Sequence, residues 1–171
     1  METANYIPQR QIDIIAYNSE EQAILIAEVK ALGFKNHQAK QQAFSQLKSY
    51  WQSLNPVIPF VMLADLSEIE IFSGESVNVS EPLLTLKTAD VLSHYDPEFA
   101  NKRIFDPYFE TLLEAWLRDL AYHWKSEKPP ASDRVEEIGL LQLLADGTTK
   151  SEVVLESDIA NKSFTTGDFD G

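Results

Sequence analysis

The sequence predicts an α/β domain, a mixed sheet flanked by helices. Three observations carry the prediction. Residues 11–17 (QIDIIAY) and 23–30 (AILIAEVK) are short, β-branched apolar runs joined by a polar turn. Residues 57–64 (VIPFVMLA) form a third, continuous apolar run of strand length. Two longer stretches, 37–54 and 107–124, repeat apolar residues at helical spacing. Strands and helices that alternate along one chain favour a sheet covered by helices.

The elements follow in order. The turn Asn18–Gln22 has the length of a hairpin connection, so 11–17 and 23–30 pair antiparallel. Gly33 breaks the pattern, and Asn36 is placed to cap the next helix. On that helix Ala39, Ala43, Phe44, Leu47, Tyr50, Trp51 and Leu54 share a face, and Asn55-Pro56 ends it. Pro59 suggests that the first residues of the third run lie outside the ladder. Glu68–Phe72 (EIEIF) alternates polar and apolar, as a half-buried strand does. Residues 73–103 read as irregular apart from a short helix near 89–93. Asp106 suits a helix N-cap with Pro107 at the first helical position. The helix from there to Trp124 carries a wide apolar face that includes Phe109 and Trp116, a reasonable core or homodimer surface. Residues 135–144 are ambiguous between helix and strand. The division expected is a domain over 1–126, an appendage over 127–160 and a disordered tail over 161–171.

Composition narrows the function. With 0 Cys there are neither disulfides nor cysteine-ligated metals. No apolar run approaches the roughly 20 residues that span a bilayer, and the start (METANY) carries no secretory signal. The expected location is cytoplasmic, with no membrane partner. The formal net charge is −13. Residues 1–56 are balanced, so the excess lies after Pro56. Such a chain binds DNA poorly through bulk charge, which leaves local sites in the neutral part, where Lys35, Lys40 and Lys48 lie.

The charges on the hairpin need an explanation. An ionised group on a buried strand costs several kcal/mol unless compensated. If Ile15 pairs with Ile26 and Tyr17 with Ile24, then Asp13 faces Glu28, with Lys30 on the same face. Two opposed carboxylates repel, and a hard cation between them turns repulsion into binding. Mg²⁺, or Mn²⁺, suits such oxygen donors, with the Val29 carbonyl as a further ligand.

In that order and context, Asp13 followed by Glu28-Val29-Lys30 resembles the PD-(D/E)XK nuclease superfamily, the restriction-endonuclease-like fold. The next helix holds Gln46-Leu47-Lys48-Ser49-Tyr50, which is similar to the QxxxY motif of RecB-type nucleases and of type I restriction motor subunits. The resemblance covers roughly residues 6–73. It implies a metal-dependent DNA endonuclease in which Asp13 and Glu28 hold the ion and Lys30 assists the attack. It further implies that Gln46 orients water or phosphate, while Tyr50 and Lys48 help to position nucleic acid. The family core begins with a helix, often bearing a glutamate, and a first strand. Only twelve residues precede Asp13, so that helix is expected to be missing or replaced. Tyr6-Ile7-Pro8 is a candidate remnant of the strand; either the chain is truncated, or the 106–124 helix fills the gap, with Glu110 or Glu114 as the substitute acid. The alternative is an inactive interaction module that keeps the fold. His37 at a helix start is a candidate phosphate contact, and His123 a helix-end cap.

Overall fold

The structure is a computed structural model and describes residues 11–33, 36–52, 58–74 and 81–154. Its centre is the hairpin of β1 (Gln11–Tyr17) and β2 (Ala23–Lys30). Asn18 organises the turn, its Oδ1 accepting the backbone N–H groups of Glu20 and Gln22, each at 2.9 Å. Ile15 lies opposite Ile26 as expected, but Tyr17 pairs with Ala23 rather than Ile24. The slip between Ala16 and Tyr17 is a bulge, which accommodates the turn without moving the rest of the register.

Helix α1 (His37–Gln52) follows, capped by Asn36, whose Oδ1 accepts the Ala39 N–H at 2.7 Å. It returns the chain to β3 (Phe60–Asp65), parallel to β2, so β2–α1–β3 is a crossover unit. β3 begins just beyond Pro59, which therefore stays outside the ladder. Asp65 Oδ1 receives the N–H groups of Ser67 and Glu68, both at 2.8 Å, and turns the chain into antiparallel β4 (Glu68–Ser73). The ion pair of Lys40 with Glu70 ties α1 to β4.

The expectation of an irregular segment over 73–103 is corrected. β5 (Leu84–Lys87) extends the sheet beside β4, and α2 (Thr88–Leu92) and a 3-10 turn (Phe99–Asn101) follow. Helix α3 (Asp106–Tyr122) has Pro107 in its first turn. The ambiguous segment becomes two short helices, α4 (Ser132–Glu137) and α5 (Leu140–Leu144), separated by Gly139 at φ +84°. The C-terminal segment is no appendage either. β6 (Thr148–Val154) pairs antiparallel with β1, and Val135, Leu140 and Leu144 are buried in the main core. A Cβ on Gly147 would collide with the Tyr17 carbonyl, so glycine lets β6 start this close to β1. The sheet order is β5-β4-β3-β2-β1-β6.

The sheet divides the core in two. Ile14, Ala16, Ala27, Val29 and Met62 pack towards α3 with Phe109, Leu113, Trp116 and Leu120. Ile15, Ile26, Val61 and Leu63 pack towards α1 with Phe44 and Leu47. Phe109 and Trp116 are fully buried in this chain's own core. Of the aromatic stripe on which the homodimer expectation rests, Phe109 and Trp116 are spent internally, whereas Trp124, just past α3, is 50% exposed. No helix among the described residues is long and apolar enough to cross a membrane. Tyr6-Ile7-Pro8 and residues 161–171 lie outside the described residues.

Candidate active site

The hairpin opens at one end, and charged side chains occupy the opening. Paired residues run from Tyr17 to Ile14 on β1. Beyond that point the amides of Val29, in β2, and of Ala31, just past its end, take side-chain acceptors instead. Val29 N–H donates to Asp13 Oδ2 at 2.7 Å, and Ala31 N–H donates to Asp106 Oδ1 at 2.7 Å. The period-two alternation of β1 also breaks here, because Ile12 packs on the α1 side and Ile14 on the α3 side. Asp13 sits at the break.

Five carboxylates border this opening. Asp13 lies between Ile12 and Ile14, which pair with Val153 and Ser151, so Glu152 comes opposite it on β6, and from β2 the charge of Glu28 acts on it. Glu28 shares the parity of Ile26 and so projects on the α1 side. It is 8% exposed and lies 3.4 Å from Lys30 Nζ through Oε2. Asp106 and Glu110 come from the first two turns of α3, one helical turn apart. Glu110 is 6% exposed.

The electrostatics describe the same cluster. The Asp13 carboxyl is pushed up to about 6, first by burial, with Glu28 and Asp106 adding to the rise. The Val29 N–H and the Lys30 charge oppose it. Glu110 is pushed up to about 7 by burial, then by the charges of Asp13, Glu152 and Asp106 and a hydrogen bond with Glu152. Burial and like charge both favour the protonated forms. Positive charge is short here: among the described residues, Lys30 is the basic side chain that acts on Asp13.

Hard oxygen donors short of positive charge fit Mg²⁺ or Mn²⁺ in chemistry. Among the described residues, however, no group of three or more His, Asp or Glu side chains is arranged to hold one ion. Glu28 and Glu110 reach the opening from opposite sides of the sheet, which accounts for this. Mg²⁺ commonly uses one or two carboxylates and fills its shell with water and phosphate, so a site for it does not need three converging carboxylates. Val29 turns its N–H towards Asp13, and a strand residue's C=O leaves the same edge. Its carbonyl therefore opens to the same side.

Of the two glutamates expected to replace the missing acid, the structure brings only Glu110 into the cluster. Glu114 instead accepts from Thr149 Oγ1 at 2.7 Å and pairs with Arg118 at 3.8 Å. Gln46 is exposed on α1, and the side chains of Lys48 and Tyr50 lie outside the described residues. His37 is exposed, and His123 ends α3 in the left-handed region at φ 54°. Two members of the cluster were missed. Asp106 reads as a cap for its own helix, yet its carboxylate reaches the Ala31 amide just past β2, and α3 has no side-chain cap. Glu152 reads as part of a solvated acidic tail, and no local signal marks its pairing with β1.

No protein family, no curated protein and no solved structure matches this chain.

Proposed function

We propose that this chain is a metal-dependent nuclease of the PD-(D/E)XK type, hydrolysing phosphodiester bonds in DNA. One observation carries the reading. The hairpin opens beside Asp13, on whose carboxyl the charges of Glu28 and Lys30 both act, with Lys30 at 3.4 Å from Glu28 and a buried Glu110 supplied by a later helix. A leading helix with a glutamate is what the resemblance implies, and α3 offers that acid from elsewhere in the chain.

Asp13, Glu28 and the Val29 carbonyl would hold Mg²⁺ or Mn²⁺. When bound, such an ion polarises the phosphodiester and lowers the pKa of water. The chain's own groups act around it. Asp13 is fixed by the Val29 N–H, so its second oxygen keeps one orientation. Lys30 sits where it can meet negative charge that develops on phosphate, once Glu28 is otherwise engaged. Glu110 titrates near neutrality, which suits a group that takes or returns a proton. Gln46 is assigned to orienting water or phosphate, and Lys48 and Tyr50 to positioning the nucleic acid.

The test is cleavage of single- and double-stranded DNA with Mg²⁺ or Mn²⁺. Wild-type protein should nick, and Asp13→Ala and Lys30→Ala should not, with unchanged circular dichroism. Failure of the wild type on both substrates ends the catalytic reading. A second reading is an inactive module that retains the fold. The pairing of Lys30 with Glu28 and the lack, among the described residues, of three carboxylates arranged around one ion favour it. Calorimetric titration with Mn²⁺ separates the two: a nuclease site saturates and loses the ion in Glu28→Gln, whereas an inactive module shows no saturable site.

A further inference from the structure

The hydrogen bond from Ala31 N–H to Asp106 brings two exposed apolar side chains to the mouth of the carboxylate cluster. Leu32 follows Ala31 and is 102% exposed; Phe105 precedes Asp106 and is 61% exposed. Tyr108, one turn along α3, is 40% exposed. Each aromatic ring carries a cation over it. The Arg103 guanidinium lies 5.5 Å from the Phe105 ring centre, and Lys102 Nζ lies 5.5 Å from that of Tyr108. Lys102 is also paired with Asp96 at 2.9 Å. Arg103 makes no ion pair among the described residues. Exposed apolar groups gathered beside a polar site mark interaction surfaces.

We infer that this ledge binds single-stranded nucleic acid and feeds it to the carboxylate cluster, with bases stacked on Phe105 and Tyr108 and a phosphate on Arg103. This deepens the nuclease reading above and rests on it. Alternation of rings and cations is the pattern that strand-tracking proteins use, because every base has a stacking face. Charge argues for a single strand over a duplex. The chain carries a net charge of −13, and duplex DNA presents a charge about every 1.7 Å along its axis. A ledge with one arginine outside any ion pair among the described residues offers little against that density. A single strand brings fewer phosphates per length and gains from its exposed bases. Lys30 at the end of β2 continues the path from the ledge to Asp13 and Glu28.

The experiment measures binding and cleavage separately. A fluorescein-labelled oligo-dT of about twelve nucleotides and a hairpin duplex of equal length are titrated by anisotropy in EDTA, where no metal-dependent cleavage occurs. Wild-type protein should bind the single strand at least tenfold more tightly than the duplex. Phe105→Ala should weaken that binding about tenfold, the loss expected for one stacked base. Arg103→Gln should reduce the slope of log affinity against log salt by about 0.7, one phosphate's share. Equal affinity for both substrates, no binding to either, or a Phe105→Ala variant with wild-type affinity overturns the inference. So does a Phe105→Ala variant that only turns a dimer into a monomer in light scattering. Cleavage with Mn²⁺ is then read on the same proteins. Phe105-dependent binding without cleavage by the wild type sinks the hydrolytic reading and leaves the ledge standing. Cleavage that Phe105→Ala leaves untouched on single strands sinks the ledge and leaves hydrolysis standing.

Discussion

Replacing Glu110 by Gln should stabilise the protein at pH 8 and leave it nearly unchanged at pH 4. The carboxyl is 6% exposed and is pushed from 4.5 up to about 7 by burial, by three neighbouring carboxylates and by its hydrogen bond with Glu152. A raised carboxyl pKa means that the folded state binds a proton that the unfolded state has already lost. Its contribution to stability is complete below about 4.5 and is lost as pH rises through about 7. At roughly 1.4 kcal/mol per pH unit, the interval corresponds to about 3 kcal/mol at pH 8. Gln keeps the length of the side chain and can still hydrogen-bond Glu152, but carries no charge to bury. In a chain of this size each kcal/mol moves the melting temperature by about 2–4 °C, so a gain of about 6–12 °C is the ceiling. The assay is thermal unfolding by circular dichroism, without divalent ions, at pH 4, 6 and 8. A melting temperature at pH 8 equal to or below that of wild type would refute the reasoning. So would a gain of the same size at pH 4, which could not come from ionisation.

Other perturbations test other parts of the argument. Mn²⁺ binding at pH 6.5 should release protons, because Asp13 (about 6) and Glu110 (about 7) still hold part of theirs; calorimetry in two buffers of different ionisation enthalpy counts them, and a count of zero contradicts the cluster. Asp106→Ala should cost about 1–3 kcal/mol at pH 5, where less repulsion is relieved, since it leaves the Ala31 N–H without its acceptor. Urea unfolding reads that loss. Trp116→Ala should cost about 3–5 kcal/mol, a large part of a typical domain's stability. The indole is fully buried, and its Nε1 donates to the Pro130 carbonyl at 2.9 Å. A shift in the urea midpoint equivalent to less than about 1 kcal/mol would mean that α3 does not organise the core.

Local rules found what local forces build. The pairing of Ile15 with Ile26 follows from two apolar runs and a short turn, and Asn36 caps α1 because its acceptor lies three residues from the donor. Pro107 announces α3. The same rules failed for the edge strands. β5 (LTLK) and β6 (TTKSEVV) each pair on one side only and face water in part, so they lack the apolar run that marks a central strand. Once β6 was missed, Glu152 had no place beside Asp13. Asp106 failed for a related reason. A residue in the position of an N-cap is read as serving its own helix, whereas its partner is an amide 75 residues away. The resemblance therefore led to Asp13, Glu28 and Lys30 and named Glu110 as a candidate acid, while Asp106 and Glu152 required the tertiary structure.

The opening in the hairpin has a consequence for observation. Val29 and Ala31 hand their amide protons to Asp13 and Asp106, whose carboxylates border the site. An ion, a proton or a phosphate that draws on either carboxylate must lengthen or sharpen one of these two bonds. The backbone thus carries two built-in sensors, one on each side of Lys30. In ¹⁵N-labelled protein their resonances would report which acid a ligand touches, with no probe attached and no catalysis needed.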